Sequence, residues 1–179
     1  LKYTVDSLAW LRKTSAVKFN SVISRTRLDT ECELTLWNEI INNMHLPVHP
    51  DLGIFLQQDG YMDKLQQTVK DLDPAERPLN QHWSWDRILR SCFIKQADVL
   101  QGLYLFEDKY DTETIKRNFD FYEPMTVHES SLSACIHSIM ASRIRNVGKA
   151  YELYLRTARL DLDDYNHEVD DGLHITSMA

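Results

Sequence analysis

Three short stretches hold side chains whose types and spacing could do chemistry. Lys95-Gln96-Ala97-Asp98 puts a cation and an amide side by side ahead of an apolar run. At a helix N-terminus such a pair offers charge and amide donors to an oxygen-rich ligand. The plain alternative is a solvated Lys95, with Asp98 complementing the helix dipole. Thr126-Val127-His128-Glu129-Ser130-Ser131-Leu132-Ser133 combines hydroxyls with the free backbone N–H groups of a helix start, which makes an anion site easy to build. The same residues also suit ordinary N-capping by a serine, with Glu129 near the positive helix end. His174 follows Gly172 at the start of a last helical pattern, where an imidazole could donate to an anion or simply pack.

Other candidates are weaker. Asp161-Leu162-Asp163-Asp164 is acidic but lacks the glycine and distant glutamate of a calcium-binding loop, so a structural role is expected. His82, His128 and His137 have no metal-site spacing, and no metal is expected. Cys32, Cys92 and Cys135 are isolated and odd in number, which favours neither a disulfide framework nor a nucleophile and suits a reducing cytoplasm.

The elements that must position these residues read as helices. Val5, Leu8, Leu11, Ala16 and Phe19 predict a helix over 3–19. Leu34, Trp37, Ile40, Ile41 and Met44 predict another over 30–44, with Thr30 as its cap. Helices are also expected over 94–106, from Asp111 or Thr112 to Phe121, over 131–144, and over 147–159 behind an Asn146 cap. Between them, Pro47, Pro50, Gly53, Gly60, Pro74 and Pro78 mark 45–90 as loop and short turns. That region is rich in rings and amides: Phe55, Gln57, Gln58, Tyr61, Gln81, His82, Trp83 and Trp85. Rings cover the C–H faces of a sugar and amides meet its hydroxyls, but rings also pin a loop to a core. The expected fold is all-α, and bundle, solenoid and toroid stay open on periodicity.

With 179 residues, 43% hydrophobic and 26% charged, the chain can build a globular core. Its formal net charge of -7 argues against a nucleic-acid backbone as partner. No apolar run approaches the roughly 20 residues that span a bilayer, so no membrane partner is expected. The chain opens on Leu1 and stops at Ala179 without a polar tail, so a piece of a longer polypeptide, truncated at both ends, is expected.

Gln81-His82-Trp83-Ser84-Trp85-Asp86-Arg87-Ile88-Leu89-Arg90-Ser91 runs on into Phe93-Ile94-Lys95-Gln96-Ala97-Asp98-Val99-Leu100-Gln101-Gly102. With the 126–133 stretch, Arg159-Leu160-Asp161-Leu162-Asp163-Asp164-Tyr165-Asn166 and Gly172-Leu173-His174-Ile175-Thr176-Ser177, this run closely resembles the disaccharide phosphorylases of glycoside hydrolase family 65. The resemblance is strong from about Asp51 and weaker before it. It implies that 1–179 is about the second half of a catalytic (α/α)6 barrel, or toroid. It implies inverting phosphorolysis by the parent enzyme, with maltose and phosphate giving β-glucose 1-phosphate and glucose. Kojibiose, trehalose, nigerose or 6-phosphorylated maltose are alternative substrates; a family hydrolase and a non-catalytic helical piece are alternative readings. By the resemblance, Lys95 and Gln96 contact the transferred glucosyl unit, while Ser130, Ser131 and His174 hold phosphate. Inorganic phosphate is then a substrate and no cofactor is implied. The family's general-acid glutamate lies in a Gly-Pro-Asp-Glu-Tyr type of motif, which this sequence does not contain. Glu129 matches the phosphate loop and is no substitute for it, and Trp85-Asp86 does not match the family's earlier Trp-Asp sugar contact. A Gly-rich phosphate segment expected after His174 is also not in the chain. The isolated chain is therefore expected to be inactive, and the full-length enzyme to be a cytoplasmic homodimer.

Overall fold

A computed structural model describes residues 1–165, 167 and 169–175. It divides into two units, residues 1–46 and 47–179. The first holds α1 (Lys2–Thr14), α2 (Ala16–Thr26) and α3 (Cys32–Asn42). The single helix expected over 3–19 is thus two. Ser15 adopts φ -155° and its Oγ accepts from the Lys18 N–H at 3.5 Å, so it caps α2 as it ends α1. A serine side chain competes for backbone donors, and apolar periodicity does not register that. Thr30 is not the cap of α3 either. Asp29 Oδ1 takes the N–H groups of Glu31 and Cys32, both at 3.1 Å.

The second unit opens with a small antiparallel hairpin, β1 (Val48–His49) and β2 (Ile54–Phe55). Its turn needs Gly53, whose φ of 60° lies where a side chain is strained. Three 3-10 turns and two short helices, α4 (Leu79–His82) and α5 (Trp85–Arg90), fill the rest of the expected loop region. Four longer helices follow: α6 (Asp98–Leu105), α7 (Thr112–Tyr122), α8 (Ser131–Arg143) and α9 (Val147–Ala158). Asp111 Oδ1 accepts from the Thr114 N–H at 2.6 Å and Asn146 Oδ1 from the Lys149 N–H at 3.2 Å. The Asn146 cap expected for α9 is therefore in use, and Asp111 caps α7 at the start expected for it. The sequence reading is corrected for α6, which begins at Asp98 and leaves Lys95 and Gln96 outside the helix.

Helix α7 organises the core of this unit. Ile115, Phe119 and Tyr122 recur at helical spacing and are all buried. Burying each such side chain stabilises by about 1.5–3 kcal/mol. Asn118 lies on the same face, fully buried, and is satisfied at both ends of its amide. Its Oδ1 accepts from the Phe55 N–H at 2.8 Å and its Nδ2 donates to the Thr114 carbonyl at 2.9 Å. The hairpin is thereby tied to α7. One buried group gathers Tyr61, Phe93, Tyr122, Met125 and Val127; another gathers Leu100, Leu103, Ile115, Phe119 and Met140. The small residues Ser133, Ala134 and Ala141 of α8 are buried, and α8 packs closely on α9.

Candidate functional site

Two of the three stretches singled out for chemistry lie side by side. Ile94 forms a parallel bridge with Thr126. The Ile94 N–H donates to the Met125 carbonyl and the Val127 N–H to the Ile94 carbonyl, both at 3.0 Å. This bridge holds Ile94 out of a helix despite a helical apolar pattern, and the chain then bends at Lys95 and Gln96 before α6 begins. Tyr61 anchors it from beneath by donating its hydroxyl to the Cys92 carbonyl at 2.5 Å. Burial, together with neighbouring Tyr122 and Cys92, pushes that phenol far above its ordinary pKa. Thr126 Oγ1 closes the other side on the Tyr122 carbonyl at 2.8 Å.

Lys95 and Gln96 follow the bridge and border a cleft of about 310 Å³. Gln57, Gln58, Lys64 and Trp85 border it too. Among the described residues neither Lys95 nor Gln96 spends its side chain on a hydrogen bond or ion pair. Lys64 is committed: its ammonium donates to the Leu89 carbonyl at 2.8 Å and sits 5.2 Å from the centre of the Tyr61 ring. Burial holds its pKa below the usual lysine value. Gln57 is committed as well, with Nε2 on Asp98 Oδ2 at 2.9 Å. The ring-and-amide region therefore divides. Phe55, Tyr61 and Trp83 pack against Tyr110, Tyr122 and Phe93, while Gln57, Gln58 and Trp85 face the cleft.

Ser130 caps α8, its Oγ accepting from the Leu132 N–H at 3.3 Å, and Ser131 is the first helical residue. Glu129 turns inward. Its carboxylate takes Arg77 Nε at 3.0 Å and the Leu79 N–H at 2.7 Å, and its side chain is only 3% exposed. Arg77 also donates to the Val127 carbonyl at 2.5 Å. A carboxylate locked in this way holds its loop.

His174 is held by Asp161. Its backbone N–H and Nδ1 meet the two oxygens of Asp161 at 2.5 and 2.7 Å. The imidazole's hydrogen bond holds the Asp161 carboxyl below the usual aspartate range. Ile175 is helical, and the rest of the expected last helix, 176–179, lies outside the described residues. Asp163 is bound by Arg159 at 2.7 and 2.6 Å, so two aspartates of the acidic 161–164 stretch are engaged by protein donors.

One cluster escaped the sequence reading. Glu123 Oε2 accepts from His137 Nδ1 and, at 3.3 Å, from His128 Nε2. Burial raises the Glu123 carboxyl pKa, but the two imidazole hydrogen bonds outweigh it and hold the group at about 2. Burial pushes the His128 imidazole below its ordinary value. The spacings of five and fourteen residues match no motif, and the cluster forms because the turn after α7 meets the first two turns of α8.

Residues 1–179 match the family model of the glycosyl hydrolase family 65 central catalytic domain. The chain belongs to that family, and its all-α fold is part of the family's α/α toroid. Maltose phosphorylase of Bacillus subtilis (strain 168) is 56% identical over 180 residues, covering 99% of this chain and 24% of that enzyme. Alpha,alpha-trehalose phosphorylase of Thermoanaerobacter brockii is 40% identical, over 100% of this chain and 23% of that enzyme. A solved structure from the human microbiome, named as a kojibiose phosphorylase, superposes with a TM-score of 0.82 at 33% identity, covering 97% of this chain and 23% of its own. The chain thus spans about a quarter of the length of these relatives.

Proposed function

We propose that the full-length enzyme containing this chain cleaves an α-glucoside disaccharide by inverting phosphorolysis, and that the disaccharide is maltose. The parallel bridge between Ile94 and Thr126 carries the reading, because it sets the Lys95-Gln96 pair beside the loop that leads to Ser130 and Ser131. A glucosyl unit and an attacking phosphate must be neighbours in this reaction. The 56% identity to a maltose phosphorylase supports the choice of maltose.

Lys95 and Gln96 hold hydroxyls of the reacting glucosyl unit. Ser130 and Ser131 donate to phosphate from a helix N-terminus, where free N–H groups and the dipole favour an anion. His174 adds an imidazole donor to the same phosphate. A carboxylic acid from another part of the enzyme protonates the glycosidic oxygen as phosphate attacks the anomeric carbon from the opposite face. An inverting hydrolase needs a carboxylate base on that face to activate water. Phosphate is already a nucleophile, so donors stand where a base would, and Glu129 is spent on Arg77 and Leu79. The chain is part of one catalytic domain, and the whole enzyme works as a cytoplasmic homodimer without a cofactor.

Steady-state kinetics of His174→Ala and Ser131→Ala in the full-length enzyme test the assignment. The KM for phosphate should rise about tenfold or more in each, with a much smaller change for maltose. An unchanged phosphate dependence would contradict it, and a preference for trehalose or kojibiose in the wild type would redirect the substrate.

A further inference from the structure

His128 sits two residues before Ser130 in the left-handed region, with φ 53°. A residue with a Cβ stays there only when its surroundings fix it. Three contacts do so. His128 Nε2 lies 3.3 Å from Glu123 Oε2, and Nδ1 lies 3.2 Å from Ser133 Oγ. Its carbonyl accepts from Arg156 Nη2 at 2.8 Å. Ser133 Oγ is also 3.1 Å from the Ser130 carbonyl, so the chain of contacts from Glu123 ends on the backbone of the serine pair. Glu123 is fixed in turn by His137, itself fully buried, and by Lys149 at 3.5 Å from its second oxygen. A divalent ion at this carboxylate would have to displace both imidazole bonds beside an ammonium group, so the arrangement is read as a clamp.

We propose that Glu123, acting through His128, is a positioning residue for phosphate: it holds the 126–131 loop in the backbone path that presents the Ser130 and Ser131 hydroxyls to the anion. The proposal rests on the phosphate role given to that loop above. The clamp acts downstream of the ladder that joins Ile94 to Met125 and Val127, so the sugar-side segment keeps its own anchor when the clamp is cut.

The test uses the full-length enzyme with Glu123→Gln and His128→Asn, assayed with inorganic phosphate and with maltose as separately varied substrates. A neutral amide oxygen accepts less strongly from two imidazoles. Asparagine tolerates positive φ but is too short to span from Glu123 to Ser133. In both variants the phosphate KM should rise about tenfold while the maltose KM stays within about twofold. If Glu123→Gln fails to fold, His128→Asn carries the test. Unchanged phosphate KM in folded variants overturns the proposal, as does an equal loss for both substrates, which is what a merely structural role gives. A wild type whose turnover ignores phosphate fails differently, since it removes the reading of the loop itself.

Discussion

Lys95 and Gln96 differ in kind from Glu129, although all three are polar residues on neighbouring backbone. The first two border a cleft with their side chains uncommitted among the described residues, while Glu129 is buried and doubly bonded. Lys95→Ala or Gln96→Ala should therefore lower kcat of the full-length enzyme by about one to two decades, since hydrogen bonds of roughly 1–3 kcal/mol are lost. Melting temperatures should barely move. Glu129→Ala should do the reverse and destabilise by about 2–4 kcal/mol in denaturant melts, because Arg77 and the Leu79 N–H lose their partner. Glu123 makes a pH prediction. Its folded pKa is depressed from 4.5 to about 2, so its stabilisation is complete above the unfolded value and is lost as pH falls through that window. His128, lowered by burial, adds a loss in the same direction once pH drops below about 6.5. Glu123→Gln should flatten the acid side of a melting-temperature profile, and an unaltered acid side would refute the assignment. At this scale the sequence showed which residue types were present but not which were spent. Nothing in the spacing of Glu123, His128 and His137 announces that they meet.

Helices α7, α8 and α9 were legible because their signals are local. Asp111 and Asn146 sit at their starts, apolar residues recur at helical spacing, and the 131–144 and 147–159 expectations differ from the structure by one residue each. Misreadings arose where a longer-range or competing bond decided. Residues 94–97 carry a helical apolar pattern, yet the bonds from Ile94 to Met125 and Val127 fix Ile94 as a bridge residue, and the chain bends at Lys95 and Gln96. That is why Lys95 and Gln96 precede α6 and do not lie on it. The front of α3 gives a test at this scale. Asp29→Ala should cost about 1 kcal/mol of stability and Thr30→Ala almost nothing, because Asp29 takes the two free N–H groups. Equal costs in thermal melts would restore Thr30 as the cap.

The chain carries about a quarter of the length of the phosphorylases it matches, and it leaves large apolar side chains exposed. Trp85, Leu89, Val147, Tyr151 and Tyr154 are each more than half exposed. An isolated 179-residue chain should therefore self-associate in sedimentation experiments and show no maltose phosphorolysis, because general acid catalysis contributes about two to four decades of rate. The toroid was legible only through the resemblance of several motifs taken in order. Helical periodicity alone left bundle, solenoid and toroid open, since the three share their local patterns and differ in which faces meet. The most direct measurement is proton NMR of the full-length enzyme turning over maltose in phosphate buffer. Inverting phosphorolysis predicts that β-glucose 1-phosphate appears first, in step with glucose and only when phosphate is present. Formation of the α-anomer, or glucose release that does not depend on phosphate, would contradict it.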